Sequence, residues 1–282
     1  MSLASKTKDI VKHFEFKFSK SLGQNFLIDQ NILNKIVDSA ELDENSTAIE
    51  IGPGIGVLTQ EMARRCKKVI AVEIDDTLIP ILNETLANFE NIKIIHNDAL
   101  KVDFKKLIEE EELENIKLVA NLPYYVTTPI LTKVLMDKLP LKSIIVMIQK
   151  EVADRIVAKP GTKEYGSLSI LVQYYCDVHK VCKVSRNCFV PPPKVESSVI
   201  KMDLRPPKYH VVDEDLFFNV VRQAFNMRRK TLFNALKPIG LKEDELHNVF
   251  IEADIDEARR GETLSIEEFA KLSNIIYTKL KK

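Results

Sequence analysis

Asn121-Leu122-Pro123-Tyr124 sets an amide, two backbone carbonyls, a stiffened turn and an aromatic ring within four residues. That combination suits chemistry on an aromatic amine. The lone pair of such an amine is delocalised into its ring, which makes it a weak nucleophile. Acceptors that draw its N–H bonds out of the ring plane restore the nucleophilicity. The Asn121 side-chain oxygen and the Leu122 carbonyl offer two such acceptors, and Pro123 fixes the direction of the chain. Tyr124 offers a face on which a flipped-out base stacks. Taken alone, the tetrapeptide also reads as a plain turn, so its surroundings decide.

A second group of residues precedes it. Glu50-Ile51-Gly52-Pro53-Gly54-Ile55-Gly56 follows an apolar run and opens a helical one. Gly52, Gly54 and Gly56 let the backbone approach a ligand closely, and a helix N-terminus there offers unpaired N–H groups. Glu73 lies 21 residues after Gly52, the place at which an acid receives the hydroxyls of a nucleotide ribose. Asp98 occupies a third turn, where its carboxylate suits an adenine amino group. The spacing is shared by nicotinamide dehydrogenases and methyltransferases. The pattern G-x-G-x-G, in place of G-x-G-x-x-G, leans toward the latter.

Elements to carry these residues alternate along the chain. The pattern predicts a helix from Asp29 as N-cap to Ala40, a strand at 46–51, a helix at 56–65 and a strand at 68–73. A helix at 77–87, a strand at 92–96, a helix at 104–112, a strand at 117–121, a helix at 129–136 and a strand at 143–149 follow. Such alternation means right-handed crossovers and a doubly wound, mostly parallel sheet. The turns bearing Gly52, Glu73, Asp98 and Asn121 then open on one crevice at the carboxyl ends of the strands. After a short helix at 152–157, residues 169–176, 178–185 and 197–204 read as β segments. Arg205-Pro206-Pro207-Lys208 reads as a linker. Beyond it the chain is helical, ending in a helix with Ser265 and Glu268 as a capping box. The expected organisation is an α/β domain over 1–208 and a small all-helical domain over 209–282.

Forty-one basic and forty-one acidic residues give a net charge of +0, yet residues 26–149 hold 13 Lys/Arg against 20 Asp/Glu. The excess of positive charge therefore lies elsewhere, and a nucleic-acid protein needs only a local basic face. Arg222, Arg228, Arg229 and Lys230 form such a cluster, as suited to phosphates as to helix-end carbonyls. Lys6, Lys8, Lys12, Lys17 and Lys20 read as a mobile basic arm, and the acidic run Glu109–Glu112 as a solvated helix end. Cys176, Cys182 and Cys188 are evenly spaced but lack the short clamp of a zinc site, so reduced thiols and no metal are expected. With no membrane span and no secretory signal, a cytoplasmic protein is expected.

These motifs in this order closely resemble the ribosomal RNA adenine N6-dimethyltransferases, the KsgA type in particular. The resemblance spans nearly the whole chain. It runs from Lys20-Ser21-Leu22-Gly23-Gln24-Asn25-Phe26-Leu27 through Phe189-Val190-Pro191-Pro192-Pro193-Lys194 to Ala224-Phe225-Asn226-Met227-Arg228-Arg229-Lys230-Thr231-Leu232 and Glu262-Thr263-Leu264-Ser265. It implies a Rossmann-like class I methyltransferase using S-adenosylmethionine, with Asn25 and Leu27 on the cofactor from an N-terminal covering segment. Gly52 would meet its amino-acid part, Glu73 the ribose, Asp98 the adenine, and Asn121 both cofactor and target amine. Phe189 would close the target base against Tyr124, although its ring reads equally as core. The implied substrate is two adjacent adenosines in a 3′-end hairpin loop of small-subunit rRNA, within the 30S subunit or its precursor. The enzyme would act as a monomer in small-subunit biogenesis. A large-subunit enzyme of the macrolide-resistance type, a non-catalytic assembly factor and a dehydrogenase are the other readings.

Overall fold

The computed structural model describes residues 2–19, 22–227 and 229–281; the expectations at Lys20 and Arg228 lie outside the described residues. The chain begins with α1 (Leu3–His13), β1 (Phe26–Leu27), α2 (Gln30–Ser39), β2 (Thr47–Ile51), α3 (Val57–Ala63) and β3 (Lys68–Glu73). It continues with α4 (Ile79–Thr85), β4 (Ile92–His96), α5 (Phe104–Glu110), β5 (Ile116–Asn121), α6 (Thr127–Met136) and β6 (Leu141–Gln149). Then come α7 (Lys150–Ile156), α8 (Ser167–Tyr175), β7 (Cys176–Val184), β8 (Phe189–Val190) and β9 (Ser197–Leu204). The last elements are α9 (Glu214–Asn226), α10 (Leu232–Leu236), α11 (Glu243–Ala253) and α12 (Ile266–Leu280).

Seven strands form one sheet in the order β4-β3-β2-β5-β6-β9-β7. The pairs from β4 through β6 are parallel, and β9 runs antiparallel to β6. All five residues of β2 are buried, as befits a strand covered by helices on both faces. The expected α/β architecture is therefore present. Ahead of α2, the Asp29 carboxylate accepts from the N–H groups of Asn31 and Ile32 at 2.9 and 3.1 Å, and the helix buries Ile32, Leu33, Ile36 and Val37.

Three local expectations are corrected. Of residues 169–176, read as a strand, all but Cys176 belong to α8, in which Leu168 to Val172 are all buried. An apolar run that is buried on every side carries no period to tell helix from strand. The basic arm is in part a helix: Lys6, Lys8 and Lys12 stand on α1, whose Leu3, Ile10 and Val11 pack against the core. The acidic run is not only solvated helix end, since Glu111 is held by both Lys68 and Lys93. Lys68 and Lys93 pull its carboxyl down to about 2.

The chain divides into two compact units, Met1–Ala153 with Asp177–Leu204, and Asp154–Cys176 with Arg205–Lys282. The second unit thus takes in α8, which the sequence grouped with the first domain. The reason is aromatic packing. Tyr174 lies 5.0 Å from Phe217, Tyr175 lies 5.8 Å from Phe218, and both hydroxyls donate to Glu214. In the same unit the expected capping box is formed, with Glu268 N–H donating to Ser265 Oγ and Ser265 N–H to Glu268 Oε2.

Candidate active site

The carboxyl ends of β4, β3, β2 and β5 lie side by side and open on one cleft in the first unit. Gly52 leaves β2, Glu73 ends β3, Asp98 follows β4 and Asn121 ends β5, and all four line the cleft. Asn25, Leu27, Gly54, Leu122, Pro123 and Tyr124 line it too. Gly56 sits at the N-cap of α3 with φ of +85°, and a Cβ there would come within 2.9 Å of Leu86. The positive φ makes any other residue strained there, and Leu86 would have to shift to make room. Gly54 lies under the Phe26 ring, 3.1 Å from where a Cβ would stand.

Glu73 is 4% exposed. Its Oε1 accepts from the N–H groups of Ile74 and Asp75, both at 2.8 Å. Burial pushes its pKa up, against the backbone donors of Asp75, Ile74 and Gly54. Asp98 is held in its turn by the Leu100 N–H, which donates to Oδ1 at 2.9 Å. These features fit S-adenosylmethionine: a glycine turn with no side chain in the way, a buried carboxylate at the end of β3 suited to a ribose diol, and a second acid beyond it.

Asn121 is fixed by a long-range contact. Its Nδ2 donates to the Asn25 carbonyl at 3.2 Å, so the amide presents Oδ1 as the remaining acceptor. Among the described residues no group donates to the Leu122 carbonyl. Tyr124 shares a hydrogen bond with Ser197 Oγ at 2.6 Å, which pins the ring, and burial raises its phenol pKa. The predicted amide, carbonyl and ring are thus brought together.

Phe189 is placed differently. It is 2% exposed in the core cluster, pairs across β1–β8 with Leu27 and is not among the residues lining the cleft. In the second unit Arg222 stands exposed on α9, its guanidinium donating to Asn219. Arg229 and Lys230 are exposed in the turn before α10. The four cysteines are thiols, and burial pushes that of Cys66 up to about 11.

Four residues escaped the sequence reading. Glu50 is 1% exposed, accepts from Thr59 Oγ1 at 2.6 Å and lines the cleft. Burial in the apolar sheet pushes its carboxyl up to about 8; the signal was an acid inside the apolar run of β2. Tyr125 lines the mouth of the cleft at 54% exposure, 3.5 Å from where a Cβ on Gly23 would stand. Gln24 and Asp75 also line or flank the cleft, and no periodicity marks them.

Comparison with known proteins agrees with this geometry. A family model described as ribosomal RNA adenine dimethylase matches residues 15–278. Ribosomal RNA small subunit methyltransferase A of Clostridium botulinum (strain Loch Maree / Type A3) is 57% identical over 96% of this chain and 98% of its own. The protein of the same name from Alkaliphilus oremlandii (strain OhILAs) is 57% identical over 99% of both. Among solved structures, a dimethyladenosine transferase from Plasmodium falciparum superposes with a TM-score of 0.73 at 29% identity. It covers 88% of this chain and 95% of that one.

Proposed function

The chain belongs to the ribosomal RNA adenine dimethylase family, and from that membership we propose how its cleft works and which adenines it serves. It is a methyltransferase that uses S-adenosylmethionine and acts on adenine N6 in small-subunit rRNA. Its targets are two adjacent adenosines in a hairpin loop near the 3′ end, converted to N6,N6-dimethyladenosine. An unpaired adenine is cheap to extrude, whereas one inside a duplex costs a few kcal/mol. The protein acts as a monomer, without a metal, in the cytoplasm, on the 30S subunit or its precursor. No described helix is long and apolar enough to cross a membrane.

The observation that carries the mechanism is the anchored amide of Asn121, with its nitrogen turned to Asn25. Asn121 Oδ1 and the Leu122 carbonyl accept the two N6 hydrogens and draw the lone pair out of conjugation. Tyr124 stacks on the extruded base. Glu73 and Asp98 hold ribose and adenine of the cofactor, and Asn25 and Leu27 cover it. S-adenosylmethionine, when bound, supplies an electrophilic methyl on a sulfonium. Asn121 and the Leu122 carbonyl would hold the amine toward that methyl, and the proton lost after transfer would leave past these acceptors to solvent, so no strong base is needed. Arg222, Arg228, Arg229 and Lys230 take phosphates, which orients the RNA without reading its sequence.

The test is transfer of labelled methyl groups to separated, unmethylated small and large ribosomal subunits. Label should appear as dimethyladenosine in small-subunit rRNA, with little on short hairpins alone. Label in large-subunit rRNA would instead favour the resistance-type reading and overturn this one.

A further inference from the structure

Gln24 lines the cleft yet has no place in the chemistry above. Both ends of its amide are committed. Oε1 accepts from the Ser19 N–H at 2.7 Å, and Nε2 donates to Asp75 Oδ2 at 2.5 Å, across 51 residues of sequence. Asp75 is 8% exposed. Its Oδ1 accepts from the Thr77 N–H at 2.9 Å and from Thr77 Oγ1 at 2.6 Å, and its own N–H donates to Glu73 Oε1. One chain of hydrogen bonds thus runs from the covering segment through Gln24 and Asp75 to the ribose acid. Other ties of that segment lie further along it, at the Asn25 carbonyl on Asn121 and at Phe26 on Gly54.

We propose that Gln24 is a positioning residue for the cofactor: its bond to Asp75 registers the covering segment against the loop that aims Glu73. The inference rests on the cleft binding S-adenosylmethionine. A hydrogen bond to a buried carboxylate is of the stronger, charge-assisted kind, and this one joins the covering segment directly to that loop. Gln24 therefore governs how tightly the cofactor is held, while the target amine is served by Asn121 and Leu122.

The experiment uses the full chain and S-adenosylmethionine, comparing the parent, Gln24→Glu, and Gln24→Glu combined with Asp75→Asn. In Gln24→Glu two carboxylates face each other, and the cofactor dissociation constant and KM should rise about tenfold or more. Turnover at saturating cofactor should fall far less. In the double variant the amide introduced at position 75 donates to the new carboxylate, its oxygen still accepts from Thr77, and affinity should return to within about threefold of the parent. Unchanged affinity in folded Gln24→Glu, or a double variant no better than the single one, would overturn the proposal. A parent that does not bind the cofactor would overturn the reading of the cleft itself.

Discussion

In the proposed mechanism Asn121 and Tyr124 treat the same base differently, and their substitutions separate the two roles. Asn121→Ala removes an acceptor that acts on the reacting amine. Turnover should drop on the order of a hundredfold, the scale of losing one preorganised polar group that faces a transition state. Tyr124→Ala removes a stacking face worth about 1–3 kcal/mol per base, whereas Tyr124→Phe keeps the ring and loses only the Ser197 bond. Single-turnover methylation is the measurement; a Tyr124→Ala enzyme as fast as the parent would remove the stacking role. Glu50 gives a different signal. Its carboxyl, moved from 4.5 to about 8 by burial, keeps in the folded state a proton that the unfolded chain releases. The ligand-free enzyme should therefore lose stability as pH rises from about 5 to about 8. Glu50→Gln, melted across that range, should show a shallower decline; an identical slope would mean the group is not protonated there.

Packing between short elements is as demanding as the cleft. In the second unit Gly261 lies so close to α9 that a Cβ would stand 2.9 Å from the Ala224 carbonyl oxygen. Backbone cannot yield as a side chain does. Gly261→Ala should cost about 1–3 kcal/mol through forced displacement, read by urea unfolding, with cofactor affinity in the first unit unchanged. A neutral Gly261→Ala would mean that the 261–263 turn shifts freely. One element was misread. α8 is a helix whose residues are buried almost all round, so the run Ser169–Tyr175 shows little exposed face to reveal a period of 3.6. Phe189, which the sequence left open between closing on a base and joining the core, pairs through β8 with β1 and is buried.

Across the molecule, the proposed binding of RNA and the proposed binding of the cofactor fall to different units. Arg229 and Lys230 stand exposed in the second, and Glu73 and Asn121 line the cleft of the first. Arg229→Glu with Lys230→Glu should weaken binding to unmethylated small subunits. It should also flatten the dependence on salt, since a phosphate that no cation neutralises keeps its condensed counterions. Calorimetric affinity for S-adenosylmethionine should be unaltered. Subunit binding with the parent's strength and salt slope would place the RNA face elsewhere.

Much of the site was legible in the residues alone. The positions of Gly52, Glu73, Asp98 and Asn121 follow from strand–helix–strand repeats of regular length, because parallel strands must deliver their carboxyl ends to one edge of the sheet. Local propensity and periodicity suffice for that, as Asp29 and Ser265 show at their helix starts. What the chain folded in three dimensions alone decided are the meetings of residues far apart in sequence. The amide of Asn121 is turned by Asn25, 96 residues away, and Gln24 reaches Asp75 across 51. The carboxyl of Glu50 is raised by a sheet that surrounds it. None of these leaves a period or a motif, since hydrogen bonds and desolvation depend on which surfaces meet, and that is fixed only when the covering segment and the strand ends close on the same cleft.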